Sequence, residues 1–477
     1  MASSFFWYDY ETTGINPRCD RPIQVAGIRT DEHLNEIDSP LNIYCQLSDD
    51  ILPHPAACLV TGITPAQLQN KGLAEHEFIR LIQKELATPG TCGAGYNSLR
   101  FDDEMTRYSF YRNFIDPYAR EWQNGNSRWD LIDLVRASFA LRPEGINWPQ
   151  ESGRITIKLD QLTVANSIEH TSAHDALSDV RATIALAKLV KEKQPRLYQY
   201  LYRLRSKHEV LKQIKLLTPV VHVSGRVASQ RNYLTVVLPL AWHPVNRNAL
   251  IVCDLSAEIS PLLIESAQCL ARKLYTRHAQ LADEELPVPL KLIHINRCPV
   301  VAPLSVLRSQ DIERLSLNLS LCLERATQLV DEQAVWQDKL KTIYSNEQSF
   351  YTEDPEQQLY DGFLSTKDKL LSDRIRQSSP EILANTAWDF DQPKLAELLF
   401  RYRARNFKNT LTNKELHDWS DFCARRLTDP RYGSPHVLKD FFQSINDLED
   451  NASPSERVLL QQWDAYAKQL KQRLTIE

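Results

Sequence analysis

The spacing of apolar residues changes twice along this 477-residue chain, and each change calls for a different kind of packing. Through about residue 195, strand-like runs alternate with helical ones, the pattern of an α/β layer structure. Phe5, Trp7, Asp9 and Glu11 share one face of a first strand by the two-residue period, with Phe6, Tyr8 and Tyr10 on the other. Ile23 to Ile28, Leu41 to Leu47 and an apolar stretch ending near Tyr96 predict further strands. Thr64, Pro65, Ala66 and Gln67 predict a helix start, with a capping Thr, a proline at the first helical position and a Gln that bonds back to the cap. Phe78, Leu81, Ile82 and Leu86 continue at helical spacing, and Asp175 to Val190 reads as a helix rich in small residues. From about 216 to 303 the texture is β, the sign of a small barrel or curled sheet. Beyond YTEDPEQQ, an acidic linker, the remainder reads helical. Leu459, Leu460, Trp463, Ala467 and Leu470 form one stripe there, expected in a core.

A chain of this length exceeds what one hydrophobic core serves, so several domains are expected. The boundaries drawn are 1–195, 196–350 and 351–477. With 43% apolar and 25% charged residues the composition is that of a globular protein, not of a disordered, collagen-like or coiled-coil chain. No uncharged apolar run is long enough to span a bilayer, and the N-terminus carries no secretory signature, so a cytoplasmic location without membrane attachment is expected. Nine scattered cysteines, none in a Cys-x-x-Cys pair, argue against a disulfide framework or zinc site.

The net charge of −5 hides two opposed regions. Residues 1–200 hold 20 basic against 26 acidic side chains, whereas 201–250 hold 8 against 1, a local +7. On its own such a window is most simply a solvated basic surface; beside a phosphate-handling site it is a track for nucleic acid.

Asp9 and Glu11, two apart on a strand, project to the same side. Adjacent carboxylates repel unless a cation lies between them, and hard divalent ions prefer oxygen ligands. That pair alone is weak, since roughly eight acid-x-acid pairs are expected by chance in a chain this acidic. Two further segments strengthen it. In YNSLRFDDE, Asp102 follows a strand and a turn. In HTSAHDALSDVRATIALAKLV, His174 sits five residues before Asp179, which stands one turn into a helix. A rigid ligand beside a mobile base suits an ion-bound water that must lose a proton.

DxE on a first strand, Asp after a later strand and HDAxxDxxAT on a helix together resemble the histidine subgroup of the DEDD exonuclease superfamily. The similarity extends to FYRNFIDPYAREWQNGNSRWDLIDLVRASFALRPEGINWP, PVVHVSGRV, LAWHPVNRNALIVCDL, HINRCPV, QLYDGF and RYRARNF. These resemble the bacterial exodeoxyribonuclease I family along nearly the whole chain. The resemblance implies a ribonuclease H-like α/β nuclease domain, an SH3-like β domain and a C-terminal α-helical domain. It implies two Mg²⁺ ions, replaceable by Mn²⁺, held by Asp9, Glu11, Asp102 and Asp179, with His174 as general base. It implies processive 3′ to 5′ degradation of single-stranded DNA to 5′-mononucleotides, in repair and recombination, by a monomer.

Glu11, Arg107, Tyr118, Trp122, Arg136, Tyr200, Lys207 and Asn248 are the implied substrate contacts. Arg107, Tyr118, Trp122 and Arg136 interleave cations with aromatics, as a single strand requires, and Tyr118 and Trp122 are spaced to share a helical face. Arg142 and Tyr200 are the implied contacts for the acidic tail of single-stranded-DNA-binding protein. Two positions depart from the family. Lys158, in Thr156-Ile157-Lys158-Leu159, stands where an Arg usually meets substrate phosphate, keeping the charge without the bidentate fork. Thr218 stands where a basic residue is expected beside the partner site. An RNA-trimming relative and a catalytically silent single-strand binder are the alternatives. The long extension beyond the nuclease region disfavours the first, and the intact acids and His174 disfavour the second.

Overall fold

The computed structural model describes residues 3–170, 175–276, 280–282, 284–345 and 352–476. It divides into two compact units. One comprises the described residues of 1–127, 170–184 and 350–477; the other comprises those of 128–169 and 185–349.

In the first unit, β1 (Ser4–Thr12), β2 (Pro22–Thr30), β3 (Leu41–Cys45), β4 (Gly72–Leu73) and β5 (Thr91–Gly95) are ordered β4-β3-β2-β1-β5. β1 is central, antiparallel to β2 and parallel to β5. Its alternation of bulky apolar residues on both faces fits that place, since a central strand covered on both sides has no wet face. Phe6, Tyr8 and Tyr10 pack with Phe78, Ile82 and Leu86 from the helix Glu75–Ala87 and with Met105 and Phe110 from the helix Asp102–Arg112. On the other face Trp7 donates from its indole to Thr30 Oγ1 at 3.0 Å. Where β5 ends, a Cβ on Gly95 would lie 2.8 Å from the Tyr8 carbonyl oxygen, so only glycine lets the two strands close up there. The predicted helix start is present: Pro65–Lys71 is capped by Thr64, with Gln67 bonding back.

The C-terminal helices belong to the same compact unit as this sheet. Trp419, Phe422, Leu460, Trp463 and Leu470 share one core with Ile23, Leu52, Ile63 and Leu68, and Trp463 donates to the Ile63 carbonyl at 3.1 Å. The stripe predicted at the C-terminus is thus core, with Leu460, Trp463, Ala467 and Leu470 fully buried and Leu459 partly so. Beside that core lies a buried ionic cluster. Arg405 Nη2 stands 2.7 Å from Asp50 and 2.5 Å from Glu356, Arg21 stands 2.5 Å from Glu356, and Asp354 bridges Arg401 and Arg426 at 2.6 and 3.2 Å.

In the second unit five antiparallel strands form a sheet in the order Leu290–His294, Ala249–Asp254, Leu234–Trp242, Val220–Val223, Val300–Pro303. Val236, Leu238 and Ile251 pack with Leu329, Trp336 and Leu340 from the helices Leu319–Asp331 and Gln333–Ser345. All nine cysteines are free. Among the described residues no helix is long and apolar enough to cross a membrane.

Candidate metal centre and nucleic-acid contacts

One carboxylate oxygen each from Asp9, Glu11 and Asp179 lie within 4.8 Å of one another. Asp9 and Glu11 share a face of β1, opposite Ala26 and Gln24 of β2. Asp179 stands in the first turn of the helix Ala176–Lys193, its N–H bonded to the Asp175 carbonyl at 3.0 Å. Asp102 opens the helix Asp102–Arg112 and accepts the Tyr10 N–H at 3.1 Å, so its carboxyl is tied to the backbone between Asp9 and Glu11. Four acids distant in sequence thus belong to one strand and two helix starts, with three of them in a single ligand-sized group. His174 lies outside the described residues. Asp175 is spent on a cap, accepting the Ser178 N–H at 3.0 Å. His170, which no motif singled out, places Nε2 2.5 Å from Asp179 Oδ1.

Burial raises the Asp9 carboxyl from 3.8 to about 8, with the Asp179 charge adding to it. Burial, then Asp9, Asp179 and Asp175, raise Glu11 to about 9. Asp102 is pushed well above its ordinary value by burial first and Asp9 second. Several carboxylates that disfavour one another's ionisation in a water-poor pocket are relieved by a hard divalent cation, so the residues fit such an ion. At pH 7 the metal-free group therefore retains protons that a cation must displace. Titrating Mn²⁺ into metal-free protein at pH 7 is expected to release about one proton or more per chain, and affinity should strengthen as pH rises toward about 9. Calorimetry in two buffers of different ionisation heat measures the release. Proton-free binding would mean that the carboxyls are already ionised.

The remaining sequence candidates have these surroundings. Arg107 is buried, its guanidinium 2.7 Å from both Glu104 and Glu121 and 5.4 Å from the centre of the Tyr118 ring. Tyr118 and Trp122 do not share the face of an α-helix, contrary to expectation. They flank a 3₁₀ turn, Ala119–Glu121, because Asp116 accepts the N–H groups of Tyr118 and Ala119 and Asn124 turns left-handed at φ 55°. Both nevertheless border one cavity of about 570 Å³, with Phe110, Phe114, Lys369 and Phe363. Trp122 is 66% and Phe363 84% exposed. Phe363 carries no local signal beyond its place in QLYDGF, and its position on the same cavity as Trp122 is a long-range product of the fold.

In the second unit Arg136 pairs with Asp133 at 2.6 Å and lies 5.7 Å from the Tyr233 ring centre. Lys207 Nζ stands 2.7 Å from Asn248 Oδ1, so two candidates contact each other. Tyr200 donates its hydroxyl to the Val301 carbonyl at 2.8 Å. Exposed Lys158 bridges to Glu151 at 3.0 Å. Arg142, half-buried, donates to the Val306 carbonyl at 3.0 Å and lies 3.4 Å from Asp311. Its neighbour Arg308, which the sequence did not single out, bridges Asp311 and Glu144 at 2.7 and 2.6 Å. Thr218 donates its N–H to the Lys215 carbonyl at 3.2 Å.

Residues 6–187 match the family described as Exonuclease, 205–346 the Exonuclease I SH3-like domain and 353–470 the Exonuclease I C-terminal domain. The order of an α/β nuclease domain, an SH3-like β domain and a helical C-terminus is the one expected. Exodeoxyribonuclease I of Haemophilus influenzae is 47% identical over 460 residues, 95% of this chain and 97% of that protein. Exonuclease I of Methylocaldum szegediense superposes with a TM-score of 0.94 at 46% identity, over 98% of this chain and 99% of that one. The zinc-ion-bound complex of Escherichia coli ExoI with single-stranded DNA superposes with a TM-score of 0.93 at 42% identity, over 98% and 100%.

Proposed function

We propose that this chain, which belongs to the exonuclease I family, is a hydrolase that degrades single-stranded DNA processively from the 3′ end to 5′-mononucleotides. The convergence of Asp9, Glu11 and Asp179 carries this reading, and the single-stranded DNA and zinc ion held by the E. coli relative support the substrate and the need for a divalent metal. Domains at 1–195, 196–350 and 351–477, a cytoplasmic monomer and a role in DNA repair complete it.

In this reading Asp9, Glu11, Asp102 and Asp179 hold two Mg²⁺, which Mn²⁺ can replace. Such ions, when bound, stabilise charge on the attacking and leaving oxygens of a phosphodiester displacement. Glu11 also meets the terminal nucleotide, and Lys158 neutralises a substrate phosphate as a point charge once it exchanges Glu151 for it. His174 takes the proton of the attacking water. Tyr118 and Trp122 offer ring faces to bases. Arg107, spent on Glu104 and Glu121, acts mainly by holding Tyr118 in place, while Arg136, Tyr200, Lys207 and Asn248 line the strand's path. Arg142 and Tyr200 receive the acidic tail of single-stranded-DNA-binding protein, with Arg308 adding charge that Thr218 does not supply.

A 3′-labelled oligonucleotide with and without chelator tests the activity. Labelled mononucleotide from single-stranded DNA, stopped by chelation, is expected. Release only from RNA, or tight binding with no release, would replace the reading. Trp122→Ala should weaken metal-free binding of single-stranded DNA by about 1 to 3 kcal/mol, as loss of one stacking platform does, read by fluorescence anisotropy. Unchanged affinity would remove Trp122 from the path.

A further inference from the structure

Asp179 enters the carboxylate group with a partner that no metal or base motif asks for. His170, nine residues upstream, has a side chain only 4% exposed and sets Nε2 2.5 Å from Asp179 Oδ1. With a cation bound the Asp179 carboxylate is ionised and can only accept, so the imidazole donates its N–H to it in that state. His170 is not among the residues that form the ligand group, which among those described are Asp9, Glu11 and Asp179. We propose that His170 is a positioning residue of the metal site, holding the Asp179 carboxylate so that its ligand oxygen stays aimed at the cation; this rests on Asp179 being a metal ligand.

The physical reason lies in what the helix leaves undetermined. The first turn of Ala176–Lys193 places the Asp179 backbone but not its two side-chain torsions. A ligand free to rotate must be ordered at the moment of binding, at a cost to affinity. A hydrogen bond to the carboxylate removes that freedom beforehand, the service that partners of metal ligands commonly perform. An imidazole suits the place better than an arginine, because it offers a ring N–H without a permanent positive charge beside the cation. The two acids of this segment have different partners: Asp175, just before the helix, accepts the Ser178 N–H, whereas Asp179 in its first turn is met by an imidazole.

The test is Mn²⁺ binding to the full chain without DNA, by electron paramagnetic resonance or calorimetry. His170→Leu, which fills the space without a donor, should raise the Mn²⁺ Kd about 10- to 100-fold, and His170→Gln, which keeps a donor, should recover most of the loss. The Mn²⁺ concentration giving half-maximal nuclease rate should move in parallel, with kcat at saturating metal changing far less. If the leucine variant does not fold, His170→Ala takes its place. Parental Mn²⁺ affinity in a folded donor-less variant overturns the proposal, and so does equal loss in the leucine and glutamine variants. Asp179→Asn separates the two levels: if it too binds Mn²⁺ like the parent, the ligand assignment itself fails.

Discussion

Asp9→Asn should lower nucleotide release from single-stranded DNA at least about 10³-fold while leaving the metal-free chain no less stable than its parent. The first half follows from charge. A cation that loses one of its carboxylates is held less tightly and less well aimed, and the transition-state stabilisation at stake is several kcal/mol, at 1.36 kcal/mol per tenfold in rate. The second half follows from burial. Without a cation, Asp9 is raised to about 8 by desolvation and by Asp179, so its charged form is unwelcome in the folded state. A group raised on folding contributes stability below its unfolded value, and that stability is lost as pH rises through its folded value. The metal-free parent should therefore lose thermal stability as pH climbs through about 8, and Asp9→Asn should flatten that loss. Retained nuclease rate, or an asparagine variant that melts well below the metal-free parent at pH 8, would contradict this account of the site.

Glu356→Ala should lower the stability of the unit containing the β1 sheet by about 3–5 kcal/mol, because removing one partner leaves buried charge uncompensated. Glu356 is 1% exposed and touches Arg21 and Arg405, and Arg405 also holds the fully buried Asp50. Without its carboxylate, two guanidinium groups that it separated repel one another. At about 2–4 °C per kcal/mol for a body of this size, the unfolding midpoint should fall by about 10 °C. The same cluster sets an acid limit. Asp50 and Glu356 are held well below 3.8 and 4.5, chiefly by Arg405 against the opposing effect of burial. Groups depressed on folding contribute stability above their unfolded values and lose it as pH falls through the folded ones, so acid destabilisation should begin below about 4.5. Thermal midpoints at pH 7, 5 and 4 for the parent and Glu356→Gln measure this, with a shallower acid slope expected in the variant. An alanine variant that melts like the parent would mean that apolar packing alone joins the helices to the sheet.

The strand that carries Asp9 and Glu11, the helix that carries Asp179 and the cap at Thr64 were legible in the chain because each is a short-range pattern. Two-residue alternation, small-residue periodicity and Thr-Pro-x-Gln spacing act within a few residues of themselves. The Tyr118–Trp122 spacing was equally local and misled, because an Asx turn at Asp116 competes with the helix, and a four-residue interval does not reveal which conformation wins.

By itself, then, the sequence determined the types of most elements, brought forward the four candidate acids and carried the resemblance that orders the domains. Only the tertiary structure decided which groups meet: that the C-terminal helices share a core with the nuclease sheet, that Glu356 neutralises Arg21 and Arg405, and that His170 meets Asp179. Periodicity reports burial, which each residue carries in its own chemistry. A contact between partners far apart in sequence depends on how whole elements dock, and no single residue's chemistry encodes that.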